Sequence, residues 1–146
     1  MGEVLIAYYS RSGHTEEMAN YIAEGVRIAG CDAKVKPISE IKNEKNLDGY
    51  DAYLLGCPTY YRDMTGNMKS FLFLAEKANL EGKPGGAFGS YTHSGDAPSI
   101  IFETMEYVFK MKVTNLGSFK LKEADIGNNI KSCQDDGKVI CEMCAG

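Results

Sequence analysis

Three hydroxyl side chains and one glycine crowd a short joint near the start of the chain. In YYSRSGHTEEM, residues 8–18, Ser10, Ser12 and Thr15 surround Gly13, and no lysine is present. The flanking residues read as a strand entering a helix, so the joint offers free backbone N–H groups and the positive end of a helix dipole, a combination that favours an anion. Hydrogen bonds to a charged group contribute about 1.5 to 3 kcal/mol each, so several converging donors hold a phosphate without a lysine. Capping by Ser12 or Thr15 is the plainer use of such residues. Three hydroxyls around one glycine exceed what a cap requires, and the joint reads as an anion site.

Two later loops supply flat groups. Tyr60 and Tyr61 follow Pro58 and Thr59, and Tyr91 and His93 occupy the stretch YTHSGDA. Rings from two loops can flank a planar ligand, with stacking of ~1 to 3 kcal/mol per base as a scale. Each tyrosine alone is equally compatible with half-buried packing, and their joint placement gives them a functional reading.

Spacing excludes other phosphate chemistries. The joint lacks the GxxxxGK[ST] and GxGxxG patterns. Cys57 and Arg62 bracket only the four residues PTYY, one short of a cysteine-phosphatase loop, and Gly56, Cys57 and Pro58 stand where a receiver domain needs an aspartate.

The elements that must position these loops show in the hydrophobic periods. Residues 3–9 (EVLIAYY) form a nearly continuous apolar run, as in a strand covered on both faces. Met18, Ala19, Ile22, Val26 and Ala29 then recur at helical spacing over 15–29, and Gly30 stops the helix. A weaker strand over 33–38 leads into SEIKNEKNLDG, with room for only a short helix. Further strands are expected over 50–57, 85–91 and 113–121. Helices are expected after Gly66, with Met68, Phe71, Leu72 and Ala75 inward; from about Pro98, with Ile101, Met105, Val108 and Phe109 inward; and over 128–144. Strands alternating with helices imply right-handed βαβ units and a parallel sheet in one domain spanning 1–146. Ligands of such sheets sit outside the carboxyl ends of the strands, which singles out loops 10–15, 58–66 and 91–97.

Composition narrows the class. The chain of 146 residues is 44% hydrophobic and carries a net charge of -4 with dispersed cations, which argues against nucleic acid. The run 4–9 is too short for a signal segment, no stretch approaches a membrane span, and Ile6 occupies the position where a myristoylation signal needs Ser or Thr. A cytoplasmic location is expected. Five cysteines, an odd number, argue against a complete disulfide framework, and free thiols are expected.

Taken together, SRSGHT (10–15), GCPTYY (56–61) and GSYTHSGDA (89–97) resemble the three flavin loops of the flavodoxin-like FMN proteins, and the resemblance runs over essentially the whole chain. It implies a three-layer α/β sandwich with a five-stranded parallel sheet in the order 2-1-3-4-5. It further implies FMN, its phosphate held by Ser10, Arg11, Ser12, Gly13, His14 and Thr15, with Pro58, Thr59, Tyr60, Tyr61 and Arg62 on one side of the isoalloxazine and Ser90, Tyr91, His93 and Gly95 on the other. The flavin then does the chemistry and the protein tunes it, so no protein nucleophile is implied. The expected function is electron transfer, either as a carrier docking to redox partner proteins or as a reductase using NAD(P)H and a quinone-like acceptor.

Two departures from the family pattern keep the second function open. His93 stands where short flavodoxins carry tryptophan, and the second loop has no glycine between Pro58 and Thr65 but does contain Arg62, whose charge favours an anionic reduced flavin. Cys57 reads as a small buried strand-end residue. In the tail, Cys133, Gly137, Ile140, Cys141 and Cys144 share one helical face, so the CxxC at 141–144 reads as packing and not as a metal site. His14 is expected to face solvent.

Overall fold

The computed structural model describes residues 2–145. Its sheet is built from β1 (Glu3–Tyr8), β2 (Asp32–Pro37), β3 (Ala52–Gly56), β4 (Pro84–Tyr91), β5 (Lys112–Val113) and β6 (Phe119–Lys122). The strands run parallel in the order β2-β1-β3-β4-β5, with β6 also paired to β4. This is the expected 2-1-3-4-5 sandwich with one amendment: the stretch expected as a single fifth strand is two short strands. Residues 114–118 separate them and include Gly117 at φ 76°, a left-handed turn that a continuous strand cannot contain.

Helices α1 (His14–Ile28) and α4 (Ile130–Ala145) cover one face, α2 (Gly66–Glu76) and α3 (Asp96–Glu103) the other. Alternation along β1 divides the core accordingly. Val4, Ile6 and Tyr8 pack with Met18, Ile22, Val26 and Ile140, while Leu5 and Ala7 pack with Met68, Phe71, Ile101 and Met105. Two 3₁₀ turns, Ile38–Glu40 and Glu44–Leu47, fill the segment with room for only a short helix. Among the described residues, no helix is long and apolar enough to cross a membrane.

α1 and α4 approach closely because each presents a glycine to the other. A Cβ on Gly25 would lie 1.9 Å from the Gln134 carbonyl oxygen, and one on Gly137 would lie 2.1 Å from that of Ile22. The same pair of elements corrects the expectation of free thiols. Cys31, just after α1, and Cys141 on α4 form a buried disulfide with Cα atoms 5.9 Å apart, while Cys57, Cys133 and Cys144 are free. Cys141 does lie on the inward face, and it also bonds across 110 positions of sequence.

The other correction concerns Val108, expected on the inward face and found 51% exposed. α3 runs on into a π-helical turn, Thr104–Val108, closed by the Phe109 N–H on the Thr104 carbonyl at 3.0 Å. The Thr104 hydroxyl donates to the Ile100 carbonyl at 2.9 Å, a side-chain competitor for the helical ladder. A π turn advances less per residue than an α turn, so Ile101, Met105 and Phe109 stay inward while Val108 rotates out.

Candidate functional site

The anion loop leaves the carboxyl end of β1 and enters α1 through Gly13, at φ 92° and ψ -8°. Nothing lies within 4 Å of a Cβ built there, so glycine is needed for its backbone conformation and not for space. Ser10 organises the loop from within, its Oγ accepting the Gly13 N–H at 3.1 Å and the Glu16 N–H at 3.3 Å. The amides of Arg11, Ser12, His14 and Thr15 find no acceptor among the described residues. They lie at the N-terminus of a 15-residue helix, where free N–H groups and the helix dipole favour an anion. Both first-turn carboxylates are held by tyrosines: Tyr8 donates to Glu16 at 2.9 Å and Tyr21 to Glu17 at 3.3 Å. Burial, with the Glu16 bond next, pushes the Tyr8 hydroxyl up to about 12, so it remains a donor throughout the neutral range.

Two of the expected donors are committed elsewhere. Thr15 and Ser90, each 1% exposed, are hydrogen-bonded through their hydroxyls at 2.8 Å. Ser12 Oγ lies 2.7 Å from His14 Nδ1, which is also 3.6 Å from Glu123 Oε2. His14, its side chain 37% exposed, lies beside the turn after β6.

The second loop leaves β3 through the buried Pro58. Thr59, 8% exposed, ties it to the third loop, its N–H donating to the Ser90 carbonyl at 3.2 Å and its Oγ1 accepting the Ala97 N–H at 3.0 Å. Tyr60 and Asp63 then exchange both backbone hydrogen bonds, at 2.9 and 3.0 Å, around a two-residue turn in which Tyr61 and Arg62 have φ of 51° and 62°. Two positive-φ centres define a type I′ turn, a geometry normally reserved for Asn and Gly.

Arg62 Nε reaches Asp96 Oδ2 at 3.6 Å, which links the second and third loops at the surface. Asp63 pairs with Lys69 at 2.5 Å, and that bond, aided by the Met64 N–H at 2.7 Å, holds its carboxyl below the ordinary range. Cys57 is buried and its thiol is pushed up by that burial, with no base beside it.

All three loops meet at one cavity of about 460 Å³, lined by Arg11, Thr59, Tyr60, Tyr61, Arg62 and His93 and also by Thr92 and Ser94, which the sequence reading did not single out. Their only prior signal was membership of the loop 91–97. The Arg11 guanidinium lies 6.0 Å from the centre of the Tyr60 ring, within cation–π reach. Burial raises the Tyr60 hydroxyl and Arg11 partly offsets the rise. Tyr61, fully exposed, projects from the turn apex. Tyr91 lines a neighbouring cavity of about 380 Å³ with His14, Lys122 and Glu123. Gly95 is the residue preceding α3 and lies against Lys120. The residues expected to surround one ligand therefore divide into an amide-rich end, a tyrosine-lined cavity, and a supporting layer of Thr15, Pro58 and Ser90.

Sheet order, the hydroxyl-rich loop at the end of β1 and aromatic loops at the ends of β3 and β4 define a doubly wound α/β protein whose strand order reverses between β1 and β3, the place where this architecture takes mononucleotides. Comparison with known proteins sharpens that class. The family model described as Flavodoxin matches residues 6–131. The structure of a flavodoxin from the domain Archaea superposes with a TM-score of 0.92 at 29% identity, covering 99% of each chain. Oxidised Flavodoxin 1 from Bacillus cereus gives 0.84 at 26% identity, covering 96% of this chain and 97% of its own. Among curated relatives, the NAD(P)H dehydrogenase (quinone) of Nitrobacter winogradskyi is 33% identical over 80% of this chain, and that of Gluconacetobacter diazotrophicus 35% identical over 72%. The chain spans 71% and 65% of the lengths of these two relatives. The chain belongs to the flavodoxin family, and its function is FMN-dependent electron transfer.

Proposed function

We propose that the chain is a flavodoxin-type carrier that takes electrons from one redox partner and delivers them to another through FMN held at the three loops. The observation carrying this reading is their convergence: unbonded amides at the head of α1 suit a monophosphate, and beside them lies a tyrosine-lined cavity. The amides of Arg11, Ser12, His14 and Thr15 would receive the phosphate, with the Ser10 O–H as a side-chain donor. Tyr60 and His93 would flank the ring, while Thr59 and the Thr15–Ser90 pair hold the loops in register. Bound FMN supplies the electron-accepting group, and no side chain is asked to act as nucleophile or general base.

A second reading, an NAD(P)H-dependent quinone reductase, draws support from the printed names of the curated relatives and from Arg62 at the cavity rim. A cation there would favour an anionic reduced flavin. Anaerobic reductive titration of the FMN-loaded protein separates the two. A carrier is expected to accumulate a one-electron form and to leave NADPH unoxidised, whereas rapid NADPH oxidation with a quinone and no one-electron form would establish the reductase. A protein that fails to quench FMN fluorescence would remove both.

A further inference from the structure

His14 sits where the anion loop meets the turn after β6, and the bonding around it depends on one proton. Ser12 Oγ lies 2.7 Å from His14 Nδ1, and Glu123 Oε2 approaches the same nitrogen to 3.6 Å. A neutral ring with a bare Nδ1 accepts the Ser12 proton, which removes that hydroxyl as a donor toward the loop. A charged ring carries hydrogen on both nitrogens, so Nδ1 donates, Ser12 accepts, and the Ser12 O–H is free to turn to an anion. One protonation therefore adds a positive charge at the head of α1 and releases a hydroxyl beside the unbonded amides of the loop.

The groups around the ring leave that proton to be decided locally. From β6 and its turn come Lys122, which opposes charge on the ring, and Glu123, which favours it; both line the cavity that His14 shares with Tyr91. From the loop and α1 come Arg11, Glu16 and Glu17, each turned to another partner: Arg11 to the Tyr60 ring at 6.0 Å, Glu16 to Tyr8 and Glu17 to Tyr21. Among the described residues, Glu123 is the one carboxylate within ion-pair distance of the ring. Histidine ordinarily changes charge between about pH 5 and pH 8. A phosphate monoester is largely dianionic above about pH 6, so in the upper part of that window the ligand's charge is nearly constant and the ring's charge is the variable.

We propose that, with FMN held at the three loops as above, its binding is coupled to protonation of His14: the charged ring attracts the phosphate and frees Ser12 to donate to it, and Glu123 favours the charged ring. By linkage, a ligand that prefers the protonated form takes up a proton on binding and loses affinity as pH rises. The other histidine, His93, lines the tyrosine-lined cavity, so riboflavin, which keeps the flavin ring and lacks the phosphate, separates the two. The test is fluorescence titration of the full chain with FMN and with riboflavin from about pH 6.5 to pH 8.5 at constant ionic strength. The dissociation constant of FMN should rise roughly 10-fold, the scale of one hydrogen bond to a charged group, while that of riboflavin stays level. Calorimetry in two buffers of different ionisation enthalpy should show proton uptake with FMN and none with riboflavin. His14→Asn, which keeps a polar side chain and removes the titration, should flatten the FMN profile at the high-pH affinity of the wild type. Ser12→Ala should reduce the amplitude of the profile, and Glu123→Gln should move its midpoint to lower pH, a shift that a merely structural contact would not produce. Unchanged circular dichroism confirms that each variant is folded. An FMN profile that is level, that riboflavin reproduces, or that persists in His14→Asn overturns the proposal and leaves FMN as the cofactor. Absence of quenching by either flavin at every pH overturns the proposal together with the FMN reading beneath it.

Discussion

Thr15 and Ser90, 75 positions apart in sequence, share a buried hydrogen bond of 2.8 Å that fastens the anion loop to the end of β4. Removing one hydroxyl leaves the other buried without a partner, which costs about 1–3 kcal/mol, whereas removing both is nearly neutral. Thr15→Val is therefore expected to lower the urea midpoint and weaken FMN binding, and Thr15→Val with Ser90→Ala to recover most of the stability. A double-mutant cycle with additive losses would show the bond to be inconsequential.

Gly13→Ala isolates backbone conformation from packing. With φ at 92° and open space around the missing Cβ, the substitution forces a side chain into the left-handed region at about 1–2 kcal/mol without a clash. FMN fluorescence titration should show weaker binding alongside a modest loss of thermal stability.

Tyr61 and Arg62 run the same argument in reverse. Both hold positive φ with full side chains, so Tyr61→Gly should relieve about 1 kcal/mol of backbone strain and raise Tm by roughly 2–4 °C for a chain of this size. An unchanged or lowered Tm would mean that contacts of the exposed tyrosine outweigh the strain.

Asp136 predicts a pH dependence. It is 4% exposed, its Oδ2 has no hydrogen-bond partner among the described residues, and burial raises its carboxyl to about 7. The folded state thus holds a proton that the unfolded chain has released. Stability from this group is greatest below the ordinary carboxylate value of 3.8, falls as pH rises from there to about 7, and is flat beyond. Asp136→Asn should remove that slope and stabilise the protein at pH ~8 by up to about 4 kcal/mol, read as urea midpoints across the pH series. The neighbouring thiol of Cys133, raised to about 12 first by burial and next by Asp136, is not expected to titrate in this range.

The Cys31–Cys141 bond closes a loop across 110 positions. In the chain-entropy account a loop of that size contributes about 4–5 kcal/mol. Reduction, or the pair Cys31→Ala and Cys141→Ala, should lower Tm substantially, and a thiol assay on the denatured unreduced protein should find the three free cysteines only.

The sheet order and the position of the three loops at the strand ends were legible because each rests on a local signal: an apolar run for β1, a 3.6 period for α1, hydroxyls around Gly13. The loops' partnerships were not. Thr15 and Ser90 each looked like a ligand donor, since nothing local indicates that two hydroxyls 75 positions apart will satisfy one another. The helical spacing of Cys133, Gly137, Ile140, Cys141 and Cys144 placed Cys141 correctly on the inward face but carried no sign of Cys31. Val108 matched the helical period, and a threonine hydroxyl competing for a carbonyl one turn earlier changed the period locally. Asp136 sat unnoticed between buried positions, because a carboxylate in a polar stretch ordinarily signals the wet face.

The close glycine contact between α1 and α4 also bears on the order in which the molecule is made. Gly25 leaves the ribosome more than a hundred residues before Gly137, the glycine that faces back against its helix. Until α4 is synthesised, the side of β1 carrying Val4, Ile6 and Tyr8 is only half roofed, and α1 has no second helix to pack on. During translation α1 therefore exists well before the helix that completes its packing, and the nascent chain should reach its full stability only when α4 docks.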